Sequence, residues 1–120
     1  MRGKMLKQIK VKIGEGEKIM ASLERELAAK GIKEAVIVSC VGALRDFELI
    51  TIHQDSKKIP PEHYKKKFDL KAELMGNGSV AAGSAHLHVV CGLDGGTALA
   101  GHLVEGTVTY FAEVTLLAEV

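Results

Sequence analysis

Apolar residues recur at every second position along much of this chain, which is the period of a β-strand with one buried face. Residues 17–30 differ, because their apolar positions return at steps of three and four, the period of an α-helix, and Gly31 then provides a stop. The alternating or continuous apolar segments predict strands at residues 4–13, 35–44, 47–52, 68–75, 84–92, 98–104 and 107–117. The pattern therefore predicts one domain over residues 1–120, of the α+β class, with one main helix packed on a largely antiparallel sheet.

Glycine, proline and charged residues separate these segments. Arg45-Asp46 predicts a break between two strands, and Gly76-Asn77-Gly78 predicts the turn after residues 68–75. Residues 54–67 contain both prolines and a group of lysines, so they are predicted to form a long exposed loop.

Three of the five histidines, His86, His88 and His102, fall in one predicted β-hairpin. Its loop, Asp94-Gly95-Gly96, is typical of a three-residue hairpin loop with a left-handed glycine at the last position. That loop length fixes the register and pairs His88 with His102. Because cross-strand partners and alternate residues share a face, the three imidazoles are expected to converge on one patch.

The two faces of this hairpin differ in composition. Odd-numbered positions carry aliphatic residues and a cysteine, whereas the even-numbered strand positions carry the histidines with small or aliphatic residues and no charged residue. A sheet face in contact with water normally carries charges. A helix of about 14 residues is too short to cover both sides of the sheet, so we expect another subunit to cover the even face.

Composition narrows the function classes. With a net charge of +1, the protein has no overall electrostatic attraction to DNA or to a membrane. Aromatic residues make up only 4% of the chain, which is few for a surface that stacks on nucleic-acid bases. No apolar stretch reaches the roughly 18 residues that span a bilayer, and no secretory signal is visible, so a cytoplasmic location is expected. Cys40 and Cys91 lie in apolar segments and are predicted to be buried, reduced thiols.

Three converging imidazoles are suited to zinc or another divalent transition metal, and three protein ligands leave a position for water, substrate or a partner's ligand. Neutral, hydrogen-bonded histidines in an oligomer interface, or a pH-sensitive interface, are the alternatives. If the site is catalytic, Glu105 or Glu113 would be the general base. Glu105 also fits a turn residue beside Gly106, and Glu113 needs a partner such as Arg45 or a histidine.

A group of lysines forms the second candidate site. Their side chains could contact phosphates, in which case binding would weaken steeply with salt, or they could simply keep the loop soluble. The group consists of Lys57, Lys58, Lys65, Lys66 and Lys67.

Several motifs follow one another along residues 5–118. The most specific are Gly83-x-x-His86-Leu87-His88 and the following Gly101-His102-Leu103-x-x-Gly106, and Thr109-x-x-Ala112-Glu113-Val114 closes the series. Together they resemble the plant-and-prokaryote conserved (PPC) domain. The chain departs from that pattern at Ala100-Gly101, where the family usually has two glycines, and it has no Arg-Gly-Arg-Pro core of an AT-hook.

The resemblance implies a compact fold with an antiparallel-rich sheet, a homotrimer, and DNA or a protein regulator as partner. It also implies that a metal on the clustered histidines would here be held by His86, His88 and His102. Taken together, the sequence favours a trimeric, non-enzymatic binding or regulatory module. The alternative is a metal-dependent hydrolase or lyase that acts on a small molecule.

Overall fold

The structure is a computed structural model that describes residues 5–119. That part of the chain forms one α-helix and five β-strands. They are β1 (Leu6–Gly14), α1 (Ile19–Ala29), β2 (Ala35–Ile52), β3 (His63–Ala81), β4 (Ser84–Gly92) and β5 (Ala98–Glu119). The predicted α+β class is confirmed, and the helix matches its prediction to within two residues at each end. Lys4, where the first predicted strand begins, lies outside the described residues.

All strand pairs are antiparallel, in the order β1-β5-β2-β3-β4. β4 also pairs with β5, so the four strands β2 to β5 close on themselves. Because the strands close, β4 has no free edge and is paired with β3 on one side and β5 on the other. β4 is the strand that carries His86 and His88.

One hydrophobic core fills the space between α1 and the sheet. Ile19, Leu23 and Leu27 lie at four-residue steps along one helix face and have no exposed surface. They join sheet residues such as Leu87 and Val114 in a continuous buried cluster. Burial of each such side chain stabilises the fold by about 1.5–3 kcal/mol. None of the described helices is long and apolar enough to cross a membrane.

The predicted break at Arg45-Asp46 is wrong, because these residues form a β-bulge inside one long strand. The register with β3 shifts between Arg45 and Phe47, and Asp46 adopts a left-handed φ of 50°. Polar residues at a bulge resemble a turn in sequence, although the strand continues beyond them. Likewise, the strands predicted at residues 98–104 and 107–117 are one strand, β5.

β3 begins earlier than predicted. It starts at His63, so the exposed loop covers only residues 53–62, and Lys65 to Lys67 lie on the strand. Residues 63–67 are exposed on both sides of the sheet, so no alternation of apolar and polar residues marks them as a strand.

β3 also continues through Gly76-Asn77-Gly78, which were predicted to form a turn. The actual turn is at Ala82-Gly83, where both residues have left-handed φ values of 50° and 79°. The strand needs its glycines because β4 lies very close to it. A Cβ on Gly76 would lie 2.5 Å from the carbonyl oxygen of His88, and one on Gly78 would overlap that of His86.

Candidate functional site

The hairpin of β4 and β5 brings the three predicted histidines together. The backbone N–H of Leu93 donates to the carbonyl of Thr97 at 2.9 Å, which closes the predicted three-residue loop. The register pairs His88 with His102, as predicted. The ring centres of His88 and His102 are 5.4 Å apart, and those of His86 and His102 are 5.7 Å apart.

These spacings can be compared with the requirements of a shared metal ion. A zinc-binding nitrogen lies about 2.0–2.1 Å from the metal, so the ring centre is about 3.2 Å away and tetrahedral binding separates ring centres by roughly 5.2 Å. The described residues contain no group of three His, Cys, Asp or Glu side chains already arranged as a metal site. The donor set therefore fits a metal in type, and the two ring spacings to His102 lie near this value, although the side chains as they stand do not form a metal site.

The three imidazoles are otherwise unengaged. Over residues 5–119, none of them forms a hydrogen bond or an ion pair with another protein group. Burial lowers the pKa of His102 below its usual range, and repulsion from His88, His86 and His63 lowers it further. A lowered pKa favours the neutral imidazole, which is the form that binds metals.

His63 also lies at this site, although the sequence pattern predicts an exposed loop at this histidine. The extended β3 pairs His63 with Ile52, which lies two residues along β2 from Ile50, the partner of His102. His63 therefore lines the same cavity as His88 and His102. The lysines that follow it conceal the strand, so the sequence carries no clear signal for this placement.

A cavity of about 950 Å³ adjoins the histidines on the sheet face that turns away from the core. Its floor contains a row of paired residues, Val41, Met75, Val90 and Ala100, one from each of the four closed strands. The lining residues, all of them within the described range, include no Lys, Arg, Asp or Glu. The uncharged even face of the hairpin is thus part of a larger apolar surface.

Several aliphatic side chains on this face are exposed in the single chain. Val41, Met75 and Val90 have exposed fractions of 43%, 60% and 42%. A contiguous exposed apolar surface of this kind marks an interaction site. The expectation that a second subunit covers the even face is therefore consistent with the structure and stays a prediction.

Glu105, the first candidate base, is not in the cavity. Its carboxylate accepts hydrogen bonds from the backbone N–H groups of Met20 (2.8 Å), Ala21 (3.1 Å) and Gly106 (3.0 Å). The first turn of α1 has no acidic residue, and Lys18 at its N-cap provides no side-chain cap. Glu105 lies on β5, far from α1 in sequence. Its carboxylate therefore accepts hydrogen bonds from free N–H groups at the start of the helix and takes the place of an N-cap side chain.

Glu113, the second candidate base, lies outside the lining of the cavity. Its carboxylate oxygens are 3.9 Å from Lys10 Nζ and 4.0 Å from Lys12 Nζ. The suggestion that Arg45 pairs with it is wrong, because Arg45 donates to Glu15 at 2.6 Å and to Thr109 Oγ1 at 2.8 Å. Both glutamates are thus engaged away from the histidines.

The candidate phosphate-binding lysines do not form one patch. Lys65, Lys66 and Lys67 are consecutive on β3, so their side chains alternate between the two faces. Lys66 Nζ lies 5.3 Å from the centre of the Phe68 ring. Lys58 pairs with Glu62 at 3.7 Å, and Lys57 is exposed in the loop.

The two cysteines are buried and free, as predicted. Burial raises the pKa of Cys40 to about 12, with repulsion from Cys91 adding to it, and burial raises the pKa of Cys91 to about 11. Thiols with such pKa values carry almost no thiolate at neutral pH, so these residues pack the core rather than act as nucleophiles.

Known structures with the same fold cover nearly the whole chain. A plant- and prokaryote-conserved (PPC) protein from Pyrococcus horikoshii is 25% identical, with a TM-score of 0.82, and the match covers 100% of this chain and 84% of that one. A protein from Archaeoglobus fulgidus described as metal-containing is 29% identical, with a TM-score of 0.76 and coverage of 99% and 86%. A "putative DNA-binding protein" from Bacteroides thetaiotaomicron is 23% identical, with a TM-score of 0.75 and coverage of 96% and 83%.

A comparison with curated proteins gave no significant match. The family model of the Plants and Prokaryotes Conserved (PCC) domain matches residues 2–119. This is the domain named PPC above. That range includes the helix, all five strands and the histidine hairpin. The chain therefore belongs to the PCC domain family.

Proposed function

We propose that this domain is a non-enzymatic binding module whose histidine cluster, His86, His88 and His102, holds a divalent transition metal, with zinc as the first candidate. The observation that carries the proposal is the spacing of three otherwise unengaged imidazoles, 5.4 and 5.7 Å between ring centres. The related Archaeoglobus fulgidus protein, described as metal-containing, adds support.

A metal on three imidazoles would supply a fixed positive charge and an open coordination position. The protein residues themselves give more support to binding than to hydrolysis. A hydrolase or lyase needs a general base near the metal. Glu105 is held by three backbone N–H groups, and Glu113 lies beside two lysines.

We further propose that the domain works as a homotrimer assembled through the face that carries the histidines. The exposed aliphatic row beside the cluster supports self-association through this face. The trimer is the assembly that the resemblance to the PPC domain implies. Another subunit over this face would enclose the histidines and the cavity in a subunit interface.

DNA is the second candidate partner. Support comes from structural relatives described as "putative DNA-binding protein", and the distribution of charge on this chain adds little support. The lysines point in different directions, and one of them is paired with a glutamate. A mobility-shift titration is therefore expected to show weak binding that salt abolishes. Tight binding that persists at high salt would instead favour DNA as the main partner.

Metal analysis tests the leading proposal. Protein stripped with a chelator, reloaded with zinc and dialysed should retain about one zinc per chain. The variants His86→Ala, His88→Ala and His102→Ala should each lose most of that zinc. His53→Ala is the matched control, because His53 is exposed and makes an edge-on contact with the Tyr64 ring, with 5.2 Å between ring centres, outside the cluster. Equal zinc content in all variants would overturn the proposal.

A further inference from the structure

We infer that the exposed aromatic pair Tyr110–Phe111 of one chain inserts into the cavity beside the histidines of a neighbouring chain. The inference rests on the self-association proposed above and is independent of the metal. It goes beyond that proposal because it names the side chains that fill the cavity.

Tyr110 and Phe111 are aromatic residues that the single chain leaves in contact with water. Their exposed fractions are 77% and 45%, and their rings meet edge to face with 5.0 Å between ring centres. An aromatic side chain buries about 150–250 Å² when it is enclosed. Tyrosine and phenylalanine are enriched at protein interfaces, and tyrosine is common among the residues that carry most of the binding energy. The pair therefore has the chemistry of an interface anchor.

The backbone at Tyr110 is strained and held in place. Its φ of 72° lies in the left-handed region, which is costly for a bulky side chain and persists only where the surroundings fix it. The Tyr110 N–H donates to one carboxylate oxygen of Glu15 at 2.7 Å, and Arg45 joins the other oxygen to Thr109 Oγ1. Because these bonds present the pair in one orientation, little conformational freedom is lost when it binds.

The aromatic pair and the cavity lie at different places on the same face of the sheet. Phe111 and Glu113 flank the fully buried Ala112 on β5, so both point away from the core. Glu113 is in turn the cross-strand partner of Val41, which lines the cavity. Neither Tyr110 nor Phe111 lines the cavity of its own chain. A second copy of the chain therefore brings the same pair to a cavity that its own chain leaves open.

The cavity suits an aromatic pair that carries one hydroxyl. Its volume is about 950 Å³, and its lining combines an exposed aliphatic row with no charged residue. A tyrosine hydroxyl needs a hydrogen-bond partner when it is buried. His63 lines the cavity outside the proposed metal-binding set, and over residues 5–119 its imidazole makes no hydrogen bond, so it is available as that partner.

The separate positions of the pair and the cavity make this contact head-to-tail. Each chain uses its aromatic pair toward one neighbour and its cavity toward another. Such contacts are satisfied at every chain only when they close into a ring. The homotrimer that the resemblance implies is a ring of this kind, with three equivalent contacts.

Light scattering over a dilution series tests the role of the pair. Tyr110→Ser should raise the concentration at which half of the chains are assembled by at least about tenfold, because the interface loses an anchor. Tyr64→Ser is the matched control, since Tyr64 is also exposed (48%) and lies outside the cavity lining. It should assemble as the wild type does, and circular dichroism checks that both variants fold.

A variant that fills the cavity tests where the pair binds. Ala100→Phe adds a ring to the exposed floor of the cavity and should also weaken assembly. Adding Tyr110→Ser to Ala100→Phe should cause no further loss, because the contact is already blocked. Losses that add up would show that Tyr110 binds elsewhere and would overturn its placement in the cavity.

Fluorescence gives a second measurement, which does not depend on loss of assembly. The chain contains no Trp, so Tyr110→Trp carries a single fluorophore. Its emission should lie at shorter wavelength in the assembled protein than in the same variant with Met75→Glu added. Ile59→Trp, at a loop position that is 98% exposed, should emit as in water in both backgrounds. Equal emission from assembled Tyr110→Trp and Ile59→Trp would overturn the inference.

These outcomes separate the inference from the proposed function. A monomeric wild-type chain would overturn the proposed assembly, and this inference with it. An assembled wild type together with unchanged assembly of Tyr110→Ser would overturn the insertion of the pair and leave the proposed assembly intact. The proposed metal site is judged by zinc content, which none of these measurements uses.

Discussion

His88 and His102 face each other as direct cross-strand partners, with 5.4 Å between their ring centres. Strand pairing and a short loop hold the two residues in this position. β4 has a partner strand on each edge, and a three-residue loop fixes its register with β5. Because both side chains project from paired strands, the spacing of the cluster is built into the backbone, as binding sites with well-defined geometry require.

The close approach of β3 to β4 predicts a strong effect of a single methyl group. Gly78→Ala should lower the free energy of unfolding by about 2–3 kcal/mol, because the new Cβ would overlap the His86 carbonyl. Gly14→Ala is the matched control, since a Cβ there meets no atom within 4 Å. It should change stability by less than about 0.5 kcal/mol. Equal urea midpoints for the two variants would contradict the observed path of β3.

The cap that Glu105 provides to α1 predicts a loss of stability without a loss of metal. Glu105→Ala should lower the free energy of unfolding by about 1–2 kcal/mol, because N–H groups at the helix start lose their acceptor. Glu17→Ala, at an exposed position before the helix, should have little effect. Urea denaturation and zinc analysis would check both variants. Unchanged stability in Glu105→Ala would argue against a capping role.

Glu15 predicts an acid-dependent contribution to stability. The Tyr110 backbone N–H donates to its carboxylate at 2.7 Å, and this bond, followed by that from Arg45, lowers the pKa of Glu15 below its ordinary value of 4.5. The folded protein therefore holds the proton less tightly than the unfolded chain. The stabilisation is present above pH 4.5 and is lost as the pH falls through the lower, folded pKa.

It follows that Glu15→Gln should be less stable than the wild type at neutral pH, and that the difference should shrink as the pH falls below 4.5. Thermal unfolding over this pH range measures it, with Glu17→Gln as an exposed control. A difference that grows toward low pH would contradict the hydrogen bonds assigned to Glu15.

The apolar row predicts self-association. Size-exclusion chromatography with light scattering should give the wild-type protein a molar mass of about three chains. Met75→Glu places a carboxylate in the row and should shift the chain to lower mass. Ile59→Glu is the control, because Ile59 is an apolar residue with an exposed fraction of 98% in the loop before β3. A monomeric wild-type chain at micromolar concentration would contradict the proposed assembly.

The sequence predicts the histidine hairpin well because its signals are local. Alternation determines the faces of β4, and the Asp94-Gly95-Gly96 loop fixes the partner of His88. The helix is equally local, since its apolar period and Gly31 lie next to each other in the chain. Such features depend on neighbours in sequence, which pattern analysis can detect.

The errors in the prediction arise where distant segments decide the structure. Gly76-Asn77-Gly78 looks like a turn because the need for glycine comes from the backbone of β4. Glu105 looks like a turn residue because its partner, the start of α1, lies far away in sequence. His63 is missed because β3 is solvent-exposed there and is held by pairing with β2.

X-ray absorption spectroscopy of the zinc-loaded protein tests the central claim most directly, because it identifies the ligands around the metal. For the wild-type chain we predict imidazole scattering from three histidines, with Zn–N distances of about 2.0–2.1 Å, unchanged in His53→Ala. His102→Ala should remove this signal together with the bound zinc. A zinc spectrum without imidazole scattering, or one unaffected by the loss of His102, would contradict the assignment of the metal to this cluster.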